Sequence, residues 1–332
     1  MKIVFRTNGG KNIGLGHVYR CLSLAKAIKD ENKKVEKNDI EIIFISNKET
    51  IELIQKNNYK FISSDKFNKE DIQTINDQKT DIIIFDSYLA NDGYLKHLKQ
   101  ITKLIIFDDN NDIYNSEIPD VIINGNIHAK KLNYSNKEKH FLGPNYLVMR
   151  EEYWYNSEKT EKSKQKESLM ITTGGADFNQ IMIKFIQSLK ELKMNKKIII
   201  GPMYEKEYIQ QIEKEIENDD NYEIIYKPKS LKNYIQSSDY ILTAAGSTIY
   251  EIMTLNKTPI IYTLADNQKL IAKELEDYGI KNLGNYDKIN YYDLEKDILK
   301  ITSKENTKIK RLFNLFDGQG AKRIAKEIIG EI

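Results

Sequence analysis

The residue in this chain best placed to do chemistry is His17, because of what precedes it. Arg6-Thr7-Asn8-Gly9-Gly10 closes a short apolar run, and Ile13-Gly14-Leu15-Gly16-His17 leads into an amphipathic one. A glycine-rich passage from strand to helix lets the chain turn tightly and lets a ligand approach the backbone. In open α/β sheets, ligands gather at the carboxyl ends of the strands. The dipole at a helix start favours a neutral imidazole, which is the form a general base requires. The competing reading of a lone histidine is capping or packing. The glycine spacing is not a dinucleotide fingerprint, since Tyr19 is bulky where that motif needs a small residue, and no Gly-Lys-Ser/Thr follows to make a P-loop.

A second pair of loops has the composition of a phosphate cradle. Thr172-Thr173-Gly174-Gly175-Ala176-Asp177 follows one apolar run, and Thr243-Ala244-Ala245-Gly246-Ser247-Thr248-Ile249-Tyr250-Glu251 follows another. Each runs into a helical pattern, so both could aim backbone N–H groups at a diphosphate. Glu251 would then lie within reach of a ribose hydroxyl pair. Taken singly, each loop also reads as an ordinary strand-to-helix turn. Asp266-Asn267-Gln268 could offer polar contacts to a sugar. Asp86-Ser87-Tyr88 and Asp108-Asp109 end two further apolar runs on the His17 side. The other reading of each acid is a helix cap or turn residue.

Other chemistries find no support. His17, His97, His128 and His140 lack metal-ligand spacing, and the acidic run at 108–112 lacks the calcium-loop pattern. There is no Gly-x-Ser-x-Gly elbow. The single cysteine, Cys21, falls on an apolar helix face and reads as core. It cannot form an intrachain disulfide, which fits a reducing cytoplasm. Lys and Arg total 51 against 49 Asp and Glu, so charge gives no reason to expect nucleic acid or an acidic membrane as partner. No apolar run is long enough for a signal peptide or a membrane span.

The elements that must position these residues follow an alternating pattern. Strands are expected at Lys2–Arg6, Ile40–Ser46, Ile82–Asp86, Leu104–Asp108 and Val121–Asn124, apolar on both faces as buried parallel strands are. Val18, Cys21, Leu22, Ala25 and Ile28 share one face of a helix. A charged run, Glu158 to Glu167, reads as a solvated linker. The pattern then restarts, with strands expected at Ser168–Thr173, Lys196–Ile200, Tyr222–Tyr226, Asp239–Ala244 and Thr258–Tyr262. Helices are expected near 178–192, 204–217, 246–255 and 268–277, and the tail from Leu294 reads as helical apart from a turn at Asp317-Gly318. At 332 residues the chain is long enough for two domains. The expectation is α/β, with a catalytic Rossmann-like domain over 1–149 and a nucleotide-binding one over 150–332.

Taken in order, these motifs resemble the PseG/SpsG group of nucleotide-sugar hydrolases. The resemblance runs from Ile13-Gly14-Leu15-Gly16-His17-Val18-Tyr19-Arg20-Cys21 through Asp86-Ser87-Tyr88, Phe107-Asp108-Asp109 and Arg150-Glu151-Glu152-Tyr153. It continues through the Gly174 and Gly246 loops and Asn267-Gln268 to Asp317-Gly318-Gln319-Gly320-Ala321. It implies a GT-B-type fold related to MurG, with two Rossmann-like domains facing a central cleft. It also implies a UDP-sugar substrate, no cofactor and no essential metal. Carried over by residue, His17 is the base that activates water at the anomeric carbon, and Tyr88 is a nearby hydroxyl. Gly174, Gly175, Ser247, Thr248 and Glu251 would hold the nucleotide, and Asn267 and Gln268 would reach phosphate or sugar. Gly14, Gly16, Arg20, Asp108, Arg150, Asp177 and Gly246 lie inside the matching motifs and join the expected binding set. The chain departs from the group at Thr7-Asn8-Gly9-Gly10-Lys11-Asn12, where an acidic or serine-rich stretch is common.

Three functions compete. The first is hydrolysis of a UDP-linked diacetamido-trideoxy-hexose. The second is a GT-B glycosyltransferase, in which the same histidine would deprotonate a sugar or lipid-linked acceptor. The third is a non-catalytic binding protein, against which the intact His17 argues. No apolar or basic stripe stands out in the first 150 residues, which favours the hydrolase over a transferase with a lipid-linked acceptor. The protein is expected to be cytoplasmic and monomeric.

Overall fold

The structure, a computed structural model, describes residues 1–11, 13–35, 39–154, 167–301 and 307–330. The charged run expected to be a linker lies outside the described residues apart from Glu167. The described chain forms two parallel sheets. The first holds β1 (Lys2–Thr7), β2 (Glu41–Ser46), β3 (Lys60–Ser63), β4 (Ile82–Asp86), β5 (Lys103–Phe107), β6 (Val121–Asn124) and β7 (Lys139–Leu142), in the order β3-β2-β1-β4-β5-β6-β7. The second holds β8 (Ser168–Thr172), β9 (Asn195–Ile200), β10 (Tyr222–Tyr226), β11 (Tyr240–Ala244), β12 (Pro259–Thr263) and β13 (Lys281–Asn285), in the order β10-β9-β8-β11-β12-β13.

Helices connect the strands. They are α1 (Gly16–Val35), α2 (Ile51–Lys56), α3 (Lys69–Asp77), α4 (Asp92–Ile101), α5 (Ile181–Ser188), α6 (Lys206–Ile216), α7 (Lys232–Gln236), α8 (Thr248–Thr254) and α9 (Lys269–Asp277), then α10 (Leu294–Ile301), α11 (Thr307–Phe313) and α12 (Gly320–Gly330). The central strands are isoleucine-rich and buried on both faces, as strands covered by helices on each side must be. All five residues of α1 expected to share an apolar face are buried. β3, β7 and β13 were not among the expected strands. Each is a sheet edge and mixes Lys, Ser, His or Asn with its apolar residues, so the two-faced apolar signature is missing.

The chain divides into two compact units, Met1–Trp154 with Gly318–Ile332, and Tyr155–Asp317. The expected boundary near residue 150 is close, but the tail belongs with the first unit. After the Asp317-Gly318 turn, α12 packs against α1, burying Ile324, Ala325, Ile328 and Ile329. Each of the three isoleucines contributes roughly 2 kcal/mol through burial. The Lys322 ammonium sits 5.1 Å from the Trp154 ring centroid, and Gln319 donates to the Trp154 carbonyl. Gly320 admits no side chain, since a Cβ there would stand 2.2 Å from the Leu147 carbonyl oxygen. Gly320→Ala is therefore expected to destabilise the first unit by about 1–3 kcal/mol, read as a lower urea midpoint with an unchanged denaturant slope.

Candidate active site

In each sheet the strand order reverses once, between β1 and β4 and between β8 and β11. The loops leaving two such neighbouring strands diverge and leave a crevice at their carboxyl ends. His17 and Asp86 occupy that position in the first unit. Thr7 and Asp86 are register partners at the ends of β1 and β4. The loop after β1 folds tightly, with Gly10 N–H donating to Gly14 O at 3.0 Å and Gly14 N–H to Gly10 O at 2.8 Å. Gly10 and Gly14 have φ of 145° and 81°, which L side chains rarely adopt, so glycine is required at both. The loop delivers His17 to the first turn of α1.

There His17 Nδ1 lies 2.6 Å from Asp86 Oδ1. The carboxylate only accepts, so in the neutral ring Nδ1 carries the proton and Nε2 keeps its lone pair. Among the described residues Nε2 has no hydrogen-bond partner, and the His17 side chain is 11% exposed. Arg20, three residues further along α1, grips the same carboxylate through Nε and Nη2, both at 2.8 Å. Its Nη1 also donates to Asp109 at 2.9 Å, and its guanidinium stacks 4.5 Å over Phe107. Asp109 accepts from the Tyr88 hydroxyl and from Asn126 Nδ2, the latter at 2.9 Å. Tyr88 closes the circuit, with its ring edge-on to the His17 ring at 4.6 Å.

The charges support one another. Burial alone would push the Asp86 carboxyl up, but Arg20 and His17 outweigh it and hold it below the usual carboxylate range. Asp109 behaves alike, its burial cost outweighed by the Arg20 charge and by hydrogen bonds from Arg20, Tyr88 and Asn126. Burial also works against the Arg20 cation, and the two carboxylates more than compensate. Burial and the Asp109 charge raise the Tyr88 phenol, so it stays a proton donor at neutral pH.

The expected residues distribute unevenly. His17, Tyr88 and Arg20 come together as expected. Asp108 does not join them, because its carboxylate accepts from Asn111 N–H at 2.6 Å and Tyr134 OH at 2.7 Å. Its neighbour Asp109 takes that place. Gly14 shapes the loop, and Gly16 starts α1 with open space around it. Arg150 pairs with Glu152 and lies 5.9 Å from the Tyr19 ring centroid, outside the His17 circuit. Asp86 and Asp109 were visible only as acids at strand ends, and nothing in their spacing marks them as the partners of His17 and Arg20.

In the second unit, β8 and β11 are paired neighbours, so the Gly174-Gly175 and Gly246-Ser247-Thr248 loops leave the sheet side by side. Gly174 has φ of 92°, and the space where a Cβ would stand is open at both Gly174 and Gly175. Gln268 reaches toward this crevice. Its Oε1 accepts from Leu264 N–H at 2.8 Å, and its Nε2 would lie 3.6 Å from a Cβ at Gly246. Ser247 and Asn267 are exposed, while Thr248 and Glu251 are half-buried on α8. Asp177 is withdrawn from ligand duty. Its buried carboxylate accepts from the N–H groups of Ile181 at 3.1 Å and Met182 at 2.8 Å and from Tyr208 OH, tying down the start of α5. Among the described residues no three His, Cys, Asp or Glu side chains gather as a metal group, and no helix is long and apolar enough to cross a membrane.

Comparison with known proteins agrees with this architecture. Residues 156–328 match the model of the glycosyltransferase family 28 C-terminal domain. The chain is 24% identical to the UDP-2,4-diacetamido-2,4,6-trideoxy-beta-L-altropyranose hydrolase of Campylobacter jejuni, over 84% of this chain and 97% of that protein. It is 21% identical to the spore coat polysaccharide biosynthesis protein SpsG of Bacillus subtilis, over 84% of this chain and 82% of that protein. The resemblance to the PseG/SpsG group is thus borne out. The crystal structure of Acinetobacter baumannii MurG superimposes with a TM-score of 0.69 at 13% identity, covering all of both chains. That likeness establishes the fold as GT-B-type α/β.

The depressed carboxyls of Asp86 and Asp109 carry a pH signature. Each binds its proton less readily folded than unfolded, so each contributes stability above the unfolded carboxylate value of about 4 and loses it as pH falls toward the depressed folded value. The melting temperature should therefore fall as pH drops below about 4, and less steeply in Asp109→Asn, which removes one of the two groups. Calorimetric scans across acid pH check this.

Proposed function

Because the chain belongs to the family of the glycosyltransferase family 28 C-terminal domain, we propose that it is an enzyme of surface-polysaccharide or nonulosonic acid biosynthesis. In this reading it hydrolyses a UDP-linked diacetamido-trideoxy-hexose to free sugar and UDP. The observation that carries the reading is the His17–Asp86 pair, an imidazole held by a buried carboxylate with its second nitrogen unengaged. His17 Nε2 takes a proton from water while the water oxygen bonds to the anomeric carbon. The bond from that carbon to the diphosphate breaks, and its electron pair leaves with UDP. UDP is a good leaving group, so the enzyme chiefly orients one water and stabilises the departing charge.

Each unit has its own task. The Gly174-Gly175 and Gly246-Ser247-Thr248 loops present backbone N–H groups and small side chains to the diphosphate, Glu251 meets the ribose, and Asn267 and Gln268 meet phosphate or sugar. The first unit supplies the base, with Asp86 setting its tautomer and Tyr88 packing against its ring. No cofactor takes part in this scheme. A single buried cysteine suits a reducing cytoplasm.

A second reading is glycosyl transfer to a sugar or lipid-linked acceptor, and one observation favours it. The chain around His17 and Tyr88 also exposes Ile13, Leu15, Tyr19 and Leu89. Scattered in sequence, these residues form no stripe there, yet they offer apolar surface beside the base that an acceptor could use.

UDP release from UDP-linked diacetamido-trideoxy sugars separates the readings. Release without any acceptor, lowered about 10²–10⁴-fold in His17→Ala and in Asp86→Asn with UDP affinity retained, is the expected result. Turnover only on adding an acceptor would select the transferase.

A further inference from the structure

Asn8 stands out among the buried groups that the scheme above does not use. It is 4% exposed, and among the described residues neither its Oδ1 nor its Nδ2 has a hydrogen-bond partner. An orphaned buried donor and acceptor in one side chain is costly, and native proteins keep such groups rarely and for a reason.

Its place supplies the reason. Asn8 is the first residue beyond β1, at the carboxyl edge where the strand order reverses. On one side, Thr7 is the register partner of Asp86. On the other, Gly9 lies so close to α1 that a Cβ there would stand 2.8 Å from Val18 Cγ2, next in sequence to His17. The backbone is locked as well. Asn47 Oδ1 accepts from Gly9 N–H at 3.0 Å, and Asn47 Nδ2 donates to Gly9 O at 2.7 Å. Asn8 is therefore fixed one residue past Thr7, at the strand-end edge that also carries Asp86, with neither polar atom of its side chain engaged among the described residues.

We infer that Asn8 is a specificity-determining residue that binds a neutral polar substituent of the sugar, a hydroxyl or an acetamido group. The inference rests on the nucleotide-sugar reading above. The chemistry of the carboxamide selects this class of group. A phosphate needs donors only and a metal needs acceptors only, whereas a carboxamide matches a group that both donates and accepts. A site built around such a hydrogen bond rejects analogues that lack the partner.

The test compares His17→Ala with His17→Ala/Asn8→Leu by calorimetry, using UDP, the UDP-linked diacetamido sugar, and analogues of it lacking the 3-hydroxyl or the 4-acetamido group. Asn8→Leu should leave UDP affinity unchanged and weaken the complete sugar nucleotide about 10- to 100-fold. It should make no difference for the analogue that lacks the partner group. Without ligand, Asn8→Leu alone should melt no lower than the parent, since an apolar isostere removes an uncompensated polar group. A clearly lower melting temperature would make Asn8 a structural residue and overturn the inference. An equal loss for UDP and for every analogue would overturn it while leaving the hydrolase reading intact. Equal binding but uniformly slower hydrolysis in Asn8→Leu with His17 intact would assign Asn8 to the attacking water and overturn the sugar contact. If the wild-type chain binds the sugar nucleotide without cleaving it, the hydrolase reading fails and the binding series still decides Asn8.

Discussion

A single buried carboxylate organises the first unit. Asp86 has no exposed side-chain surface, and its two oxygens are gripped by His17 and Arg20, with Cys21 Sγ 3.8 Å from Oδ2. An ion at such depth is tolerable only when its partners are in place, and removing one typically costs 3–5 kcal/mol in comparable buried pairs. The same contacts that make the charge affordable fix the imidazole in one tautomer and orientation. Stability and chemical readiness are therefore properties of one set of bonds. Arg20 extends the arrangement by holding Asp109, which in turn holds Tyr88 against the face of the site. A hydrogen-bonded circuit of this kind is stiff, because no member can turn without breaking two neighbours' contacts.

The two sheets repeat one device for different ends. In both, the useful residues leave the strands that flank the reversal of strand order. In the first unit that position gathers charge, and in the second it gathers glycine, serine and threonine with open space above the backbone. One crevice suits proton transfer, and the other suits a ligand rich in phosphate oxygens. The scaffold dictates where sites form, and the side chains at those few positions dictate what they do.

Much of this was legible in the residues. Isoleucine-rich runs marked the buried strands, and the glycine turn ahead of His17 marked that histidine as the candidate base. Edge strands such as Lys139–Leu142 escaped because half-exposed strands lose the pattern of buried ones. The exchange of Asp108 for Asp109 has a geometric origin. The strand was expected to run to Asp108 but ends at Phe107. Beyond that end the strand's alternation no longer governs the side chains: Asp108 accepts from Asn111 N–H and Tyr134 OH, and Asp109 is left to meet Arg20. Asp177 illustrates a different limit. An acid beside a glycine loop reads equally as ligand or as cap, and only the positions of Ile181, Met182 and Tyr208 decide for the cap. Asn8 was marked only as part of the stretch where the chain departs from the PseG/SpsG pattern, and its burial without partners is a property of the folded surroundings that no sequence pattern shows.

The return of α12 to the first unit has a consequence for how the chain is made. Ile324, Ile328 and Ile329 belong to the same packed layer as α1, which begins at Gly16. During synthesis on the ribosome, everything the second unit needs has been produced by Asp317, while the first unit still lacks its closing helix. The first unit is begun first and finished last, with the second enclosed within it in the order of synthesis. Until the final turn of α12 emerges, the apolar flank of α1 stays uncovered on the nascent chain, where chaperones that bind exposed apolar segments would find it.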